Sequence, residues 1–168
     1  MMMPLHPHPI TSDRPLINVG VQLERKGACL WVRFVTLGAV DTVQWPDPAE
    51  PVRTDDLWRH SCFEVFVETT DGYREFNLSP SGQWASYRFD GYRHGMRDAV
   101  EVADVVPVDL ADDMLALEAH IYLPLQVGKL GLSAVVEAID GSFTYWALVH
   151  PSDKPDFHHP DSFILDLP

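Results

Sequence analysis

The chain has 168 residues and a formal net charge of −13, from 12 basic and 25 acidic side chains. This acidic surplus repels nucleic acid and anionic membrane surfaces, and it leaves a small neutral polar or cationic molecule as the expected partner. With 46% apolar residues, a chain of this length is expected to form one domain with a core of its own.

The first 14 residues, MMMPLHPHPITSDR, are predicted to be a flexible segment before a domain over residues 15–168. They contain no basic stretch followed by an apolar run, and nothing later approaches the roughly 20 apolar residues of a membrane span. Cys29 and Cys62 lie in alternating runs where a small hydrophobe would serve, so neither a disulfide framework nor a cysteine-based zinc site is expected. These features predict a soluble, cytoplasmic protein.

Residues 15–38 predict a β-hairpin. Ile17, Val19, Val21 and Leu23 alternate with polar residues, and ERKGA forms the turn before a second alternating run. Residues 39–60, AVDTVQWPDPAEPVRTDDLWRH, contain too many prolines and acids for a regular strand. We expect a long surface loop there, and such loops often carry binding residues.

Residues 61–93 predict three consecutive strands, because TTDGY and SPSGQ supply turn chemistry between alternating runs. Further alternating runs follow from Val100, a hairpin turns at Asp140-Gly141, and SFILDL is expected to be a final strand. Only PLQVGKL is typical of a helical turn. About nine or ten short antiparallel strands with frequent turns predict an all-β fold, a β-sandwich of the jelly-roll type.

The segment YWALVHPSDKPDFHHPDSF, residues 145–163, is rich in side chains that bind metals such as zinc or iron. Its candidate ligands are His150, His158, His159, Asp153, Asp156 and Asp161. However, adjacent histidines in an extended chain point in opposite directions, and the prolines exclude a helix. A rigid crossover with satisfied loop groups is therefore favoured over a metal site, and a metal-dependent hydrolase using these histidines is kept as an alternative.

No catalytic residue is predicted. Ser81-Gly82 lies in an ordinary hairpin turn and lacks the strand-to-helix elbow of serine hydrolases. Glu64 with Glu68, or Glu64 with Glu75, would suit a glycosidase pair, but a polar sheet face explains the same residues.

A set of aromatic and planar polar side chains is typical of sugar-binding sites. Aromatic rings stack on the C–H face of a pyranose, while arginine, asparagine and glutamate side chains hydrogen-bond its hydroxyls. Tryptophan is equally common as filler in β-sandwich cores, so each ring also has a structural explanation. The set comprises Trp58, Trp84, Tyr92 and Trp146 with Arg59, Asn77, Arg88 and Arg93.

Three stretches, LWRHSCFEVFVE, YREFNLSPSGQWASYRFDGYR and GLSAVVEAIDGSFTYWALVHPSDKPDFHHPDSF, together resemble the DOMON-like bacterial proteins. That superfamily includes the family 9 carbohydrate-binding modules, and the resemblance covers about Asp55 to the C-terminus. It implies a jelly-roll sandwich in which two aromatic residues hold a sugar beside an acid and an arginine. Trp58 and Glu64 match that pattern by spacing, and Arg88 and Trp146 are its nearest equivalents. His150, at the end of the strand that carries Trp146, is expected to line the same pocket.

Other members of that superfamily hold haem through a methionine with a histidine or lysine. Met96 or Met114 with His120 or His150 would be the axial ligands here, so a haem-binding electron-transfer module is a second alternative. The favoured function is non-catalytic binding of a carbohydrate or similar small polar ligand, without a cofactor. The predicted ligand-binding residues are Trp58, Glu64, Asn77, Trp84, Arg88, Trp146 and His150.

Overall fold

A computed structural model describes residues 1–10 and 15–167. The chain forms two antiparallel sheets that face each other across one core, which confirms the predicted all-β sandwich. Its strands are β1 Met3–Pro4, β2 His6–Pro7, β3 Ile17–Lys26, β4 Cys29–Gly38, β5 Cys62–Thr69, β6 Gly72–Leu78, β7 Trp84–Phe89, β8 Arg97–Asp98, β9 Ala103–Val105, β10 Asp109–Ala111, β11 Met114–Tyr122, β12 Val127–Glu137 and β13 Phe143–Ala147. More strands are present than the nine or ten expected, because several edge strands are only two or three residues long.

The first sheet has six strands, in the order β1-β3-β4-β11-β10, with β9 also paired to β11. The hairpin predicted over residues 15–38 is its centre, and β3 pairs with β4 from Ile17–Gly38 to Lys26–Cys29. Ile17, Val19 and Val21 are buried, as their period-two spacing predicts.

The second sheet has seven strands, in the order β2-β13-β12-β5-β6-β7-β8. The predicted three-strand meander forms β5, β6 and β7 at its centre. PLQVGKL is not a helical turn, because β12 begins at Val127 within it and pairs with β5.

The core lies between the two sheets. Phe34 of the first sheet and Phe63 of the second stack there with ring centroids 4.9 Å apart. Both side chains are fully buried, and burying a side chain of this size contributes about 1.5–3 kcal/mol. The core therefore fixes the orientation of β5, and with it the side chains on the opposite face of that strand.

The N-terminal residues differ from the expected flexible segment. β1 pairs with β3 and β2 pairs with β13, so residues 3–7 join the edges of both sheets. Leu5, between the two short strands, is only 3% exposed and belongs to the core. An apolar anchor and backbone pairing thus order residues that composition alone marked as flexible, while residues 11–14 of that prediction lie outside the described part of the chain.

The predicted final strand SFILDL is wrong. Pro160–Ser162 form a single 3-10 turn, and only Leu165 pairs with a strand, through reciprocal backbone hydrogen bonds with Leu130. Phe163 is buried against Gly131, whose missing side chain leaves room for the ring. Residues 157–165 therefore cross the outer face of the second sheet instead of extending it.

Within residues 1–10 and 15–167 there is no helix long and apolar enough to cross a membrane.

Candidate functional site

A cleft of about 840 Å³ lies on the outer face of the seven-stranded sheet. Its floor is formed by β5, β6, β7, β12 and β13. Its walls come from Ile10, the turn that carries Trp58, the turn after β7 and the C-terminal segment around Phe157. The lining residues are Ile10, Trp58, Arg59, Glu64, Glu75, Phe89, Arg93, Met96, Val135, Phe143, Tyr145, Lys154, Pro155, Phe157 and His158.

Glu64 and Glu75 are the acids of the floor, on neighbouring strands. Glu64 of β5 lies opposite Asn77 of β6, and Glu75 lies opposite Phe66. The two acids are therefore diagonal neighbours on one face, about 7 Å apart at their backbones. Glu64 is 3% exposed and Glu75 is 5% exposed, because the walls cover the sheet around them.

Burial raises the pKa of both acids. The pKa of Glu64 rises from 4.5 to about 7, although a hydrogen bond from Ser133 Oγ at 3.2 Å and the charge of Arg93 favour its ionised form. Burial also raises the pKa of Glu75 well above its usual value, and the neighbouring Glu64 raises it further. Against the effect of burial, the charge of Arg93 lowers the pKa of both acids. Burial also raises the pKa values of Cys62, Tyr73 and Tyr87; both acids help to raise that of Cys62, and Glu75 helps to raise those of the two tyrosines. Near neutral pH the pair therefore binds at least part of a proton, which lets it donate as well as accept hydrogen bonds.

Aromatic side chains form much of the cleft wall. Trp58 stands on the 3-10 turn Leu57–Arg59 and is 46% exposed, with the Arg59 guanidinium 5.3 Å from its ring centre. Tyr145 of β13 has its ring 6.3 Å from Phe143 and also 6.3 Å from Phe157 of the C-terminal crossing segment. These rings offer flat apolar surfaces above a polar floor.

A hydrogen-bonded group of side chains holds the turn after β7 against the C-terminal segment. Arg93 Nη2 donates to Asp156 Oδ1 at 2.8 Å, and the hydroxyl of Tyr92 also donates to Asp156. The backbone N–H of Arg93 donates to the Tyr73 hydroxyl at 3.2 Å, and that hydroxyl is bonded to His158 Nδ1 at 2.7 Å. These contacts fix the position of one wall of the cleft.

His158 is neutral in this arrangement. Burial and the positive charge of Arg93 lower its pKa from 6.5 to about 4. Its Nε2 lies 3.7 Å from Glu75 Oε1. The pKa of Glu75 is raised and that of His158 is lowered, and both shifts disfavour an ion pair between the two groups.

Backbone strain is concentrated at the cleft. Among the described residues, the non-glycine residues with positive φ are Asp56 at 64° and Arg93 at 52°. Asp56 immediately precedes the turn that carries Trp58, and Arg93 itself lines the cleft. A left-handed conformation costs a non-glycine residue about 1–2 kcal/mol, and such strain tends to occur at functional sites.

Three of the predicted ligand-binding residues lie at this site. Trp58 and Glu64 line the cleft. Asn77 lies opposite Glu64 on the same face, but it is fully buried beneath the lining. Neither polar atom of its side-chain amide has a hydrogen-bond partner among the described residues.

The other predicted residues are not brought to the cleft, and the expectation that Trp58, Arg88 and Trp146 share one pocket is corrected. Trp146 points into the core and is 2% exposed, because alternation along β13 directs its neighbour Tyr145 outward instead. Trp84 also packs against the core, beneath the guanidinium of Arg53 at 4.6 Å. Arg88 precedes Phe89 on β7, so its side chain points to the other face of the sheet, and it pairs with Asp71 at 2.6 Å.

His150 turns away from the cleft. Its Nε2 is bonded to the backbone oxygen of His6 at 2.7 Å, and its ring contacts His8 edge to face at 4.9 Å. His159 is engaged locally, because its Nδ1 accepts a hydrogen bond from the Asp161 N–H. His150, His158 and His159 therefore contact different groups in different places. Among the described residues, no group of three or more metal-binding side chains is assembled.

The conceivable haem ligands also separate. Met96 lines the cleft, whereas Met114 and His120 lie on β11 of the other sheet. The structure does not bring these three side chains to one pocket.

The predicted ligand-binding residues omit several residues of the cleft, although the sequence also suggests Glu75 as a glycosidase partner of Glu64, Arg93 as a member of the sugar-binding set and His158 as a metal ligand. Glu75 is on the same face as Glu64, and the Thr69–Gly72 turn register would have placed it there. Arg93, Phe157 and His158 are brought in by the turn after β7 and the C-terminal crossing segment, and no local pattern reports such long-range contacts. Tyr145 follows from alternation once its neighbour Trp146 is assigned to the core.

Comparisons with known proteins place the fold. No protein-family model matches the sequence, and no curated protein matches it significantly. A crystal structure of a proposed carbohydrate-binding protein from Bacteroides uniformis aligns with a TM-score of 0.62 at 14% identity, over 97% of this chain and 84% of that chain. A family 9 carbohydrate-binding module from Caldicellulosiruptor kristjanssonii, in complex with cellotriose, aligns with a TM-score of 0.56 at 10% identity, over 98% and 80%. The chain therefore has a β-sandwich fold similar to that of a family 9 carbohydrate-binding module.

Proposed function

We propose that this protein is a non-catalytic carbohydrate-binding module, and that the sugar binds in the cleft on the seven-stranded sheet. The observation that carries the proposal is the combination of aromatic walls with a buried polar floor. Trp58, Tyr145 and Phe157 present ring faces suited to the C–H surface of a sugar, and Glu64 and Glu75 present carboxyl groups suited to its hydroxyls.

The similar solved structures support the same class of ligand. One is a proposed carbohydrate-binding protein, and the other holds cellotriose. A cleft of about 840 Å³ is large enough for an oligosaccharide of a few residues, since small-molecule sites usually measure about 300–1,000 Å³.

Binding without hydrolysis is favoured by the placement of the two acids. Glycosidases use carboxyl groups that flank the scissile bond of the sugar. Glu64 and Glu75 instead lie on adjacent strands of one floor and approach a ligand from the same side. They are therefore suited to hydrogen-bonding one edge of a bound sugar.

A binding screen tests the proposal. The protein is applied to a glycan array that contains β-1,4-linked trisaccharides, and any ligand found is measured by isothermal titration calorimetry. Trp58→Ala should weaken binding at least about tenfold, because the exposed ring would contribute stacking area, while the free energy of unfolding changes by less than about 0.5 kcal/mol.

Trp31→Ala is the matched control, since Trp31 is a half-buried tryptophan on the outer face of the other sheet. This variant should keep the wild-type affinity. Absence of binding to every glycan, or equal loss in both variants, would overturn the proposal. Hydrolysis of a bound trisaccharide that is lost in Glu75→Gln would overturn its non-catalytic part.

A further inference from the structure

In the cleft the two arginines have ion-pair partners, whereas the two buried glutamates have no charged partner in the part of the chain that the structure describes. Arg93 is paired with Asp156 at 2.8 Å, and Arg59 is paired with Asp56 at 3.4 Å. Lys154 is exposed at the rim, where water screens its charge. Neither floor acid has a charged ion-pair partner within the described residues: Glu64 accepts one hydrogen bond from the neutral Ser133, and Glu75 faces the neutral His158. Burial raises the pKa of both acids and the charge of Arg93 lowers it, but the Arg93 guanidinium is already paired with Asp156.

Two diagonal acids on one buried face favour a particular kind of ligand group. A neutral hydroxyl donates one hydrogen bond but brings no charge, so it cannot stabilise both acids in their ionised form. A protonated primary amine brings three donors and one positive charge, so it can bond to both carboxylates at once. The surrounding rings add to this preference, because aromatic faces attract a cation within about 6 Å of the ring centre.

We propose that the ligand is an amino sugar with a free primary amine, and that its ammonium group binds between the carboxylates of Glu64 and Glu75. This inference rests on the proposed function, because the cleft must first accept a sugar. It narrows the ligand to a sugar with a cationic group that neutralises the negative charge of Glu64 and Glu75. The acidic net charge of −13 also favours the approach of a cationic oligosaccharide.

Three trisaccharides test the inference, since they share a β-1,4-linked glucose-type backbone and differ only at carbon 2. They are cellotriose with a hydroxyl, the trimer of N-acetylglucosamine with an acetamide, and the trimer of glucosamine with an amine. Near neutral pH we expect the glucosamine trimer to bind at least about tenfold more tightly than cellotriose in calorimetry, because close buried charge pairs couple strongly.

Proton release gives an independent measurement. The amine should bind best to the ionised acids, so binding of the glucosamine trimer should displace protons into the solution. The binding enthalpy will then depend on the ionisation enthalpy of the buffer, while the enthalpy for cellotriose will not. Affinity for the amine should also rise with pH as Glu64 ionises, up to the pH at which the amine itself loses its proton.

Glu75→Gln and Glu64→Gln should each abolish the preference for the amine, because an amide of the same shape carries no charge. Removing an acid with no cation partner should not unfold the protein, and either variant alone suffices for the test. Glu118→Gln is the control: Glu118 lies on the other sheet and pairs with Arg33, so the variant should keep the preference.

The outcomes separate this inference from the proposed function. Equal binding of cellotriose and the glucosamine trimer, or a preference for cellotriose, would overturn the amine inference and leave the sugar-binding function standing. A preference for the amine that persists in either glutamine variant would also overturn the inference. Failure to bind any trisaccharide or any glycan of the array would overturn the proposed function itself.

Discussion

The two sheets of the sandwich have outer faces of opposite character. On the six-stranded sheet that face carries partly exposed residues such as Trp31, whose Nε1 donates to Glu118 at 3.4 Å, and Arg33, which pairs with the same glutamate at 3.4 Å. On the seven-stranded sheet the corresponding residues Glu64, Phe66 and Glu75 are at most 5% exposed. Strand alternation is similar in both, so the difference comes from the chain segments that cross the second sheet.

Alternation along a strand identifies which residues point away from the core. The segments that cross the sheet then determine whether those residues are exposed to solvent or buried. On an open face, outward residues form surface ion pairs of small energetic value. Under a partial cover they form a second cluster of apolar residues beside a cleft. That cluster contains Leu57, Cys62, Phe66, Tyr73, Ala85, Tyr87, Phe89 and Phe163.

The largest expected effect comes from removing the central ring of this second cluster. Phe66 is 1% exposed and has its ring centre 5.7 Å from Phe163 and 5.0 Å from His158. Phe66→Ala should lower the free energy of unfolding by about 3–5 kcal/mol, because the truncation leaves a cavity. Urea denaturation followed by circular dichroism measures this loss.

Trp31→Ala, on the open face of the other sheet, removes a larger ring than Phe66→Ala does and should nevertheless cost about 1 kcal/mol or less, because Trp31 is only half-buried. If the two substitutions cost the same, the outer face of the seven-stranded sheet is not a second core.

A smaller effect is expected from the buried acid of the floor. The pKa of Glu64 is higher in the folded protein, about 7, than its ordinary value of 4.5. The folded state therefore binds more protons in this range, and the contribution of Glu64 to stability falls as pH rises from about 4.5 to 7. Relative to wild type, Glu64→Gln should gain stability across this window, on the order of 3 kcal/mol by pH 8.

The difference between variant and wild type is the quantity to measure, by urea denaturation at several pH values. His158 acts in the opposite direction, because its pKa is lowered to about 4 and its contribution to stability rises with pH up to about 6.5. Glu75, whose pKa is also raised, acts in the same direction as Glu64, so the pH dependence of the wild type alone would not isolate Glu64. A difference that stays constant from pH 4.5 to 8 would contradict the assigned burial of Glu64.

The smallest effect concerns the hydrogen bond from Ser133 Oγ to Glu64. Ser133→Ala should cost about 1 kcal/mol at pH 5 and about 2 kcal/mol at pH 8, because a hydrogen bond to an ionised carboxylate is the stronger one. Ser86→Ala is the control, since the buried Ser86 hydroxyl donates to the backbone oxygen of Glu101 at 2.5 Å. Its cost should not change between the two pH values, whereas a similar pH dependence in both variants would break the assignment.

Much of the fold follows from the sequence because its signals are local. Period-two runs and turn residues locate the central hairpin and the meander of β5, β6 and β7. The prediction of SFILDL as a strand failed because Phe163 packs over Gly131 and directs the segment across the sheet, a contact between residues far apart in the chain. The order at residues 3–7 was missed for the same reason, since it depends on pairing with β3 and β13.

The candidate site was predictable only in part. Trp58 and Glu64 lie in the cleft because one is on the loop before β5 and the other is an outward residue of that strand. Trp146 is also an aromatic residue on this sheet, but it points into the core, whereas its neighbour Tyr145 points into the cleft. Adjacent residues of a strand face opposite sides of the sheet, so an assignment that is wrong by one position places a residue on the wrong face. Arg93 and His158 depend on how loops cross the sheet, which no spacing in the sequence encodes.

The first ten residues have a consequence for how the protein behaves among its own copies. Their two short strands occupy the edges of β3 and β13, and Leu5 fills the core between them. The pairing covers Gly20 and Val21 of β3 and Trp146 and Ala147 of β13, and without this segment the backbone N–H and C=O groups at these positions would also be unpaired. Unpaired strand edges can pair with strands of other molecules. We therefore expect the N-terminal residues to reduce edge-to-edge aggregation, in addition to covering the core.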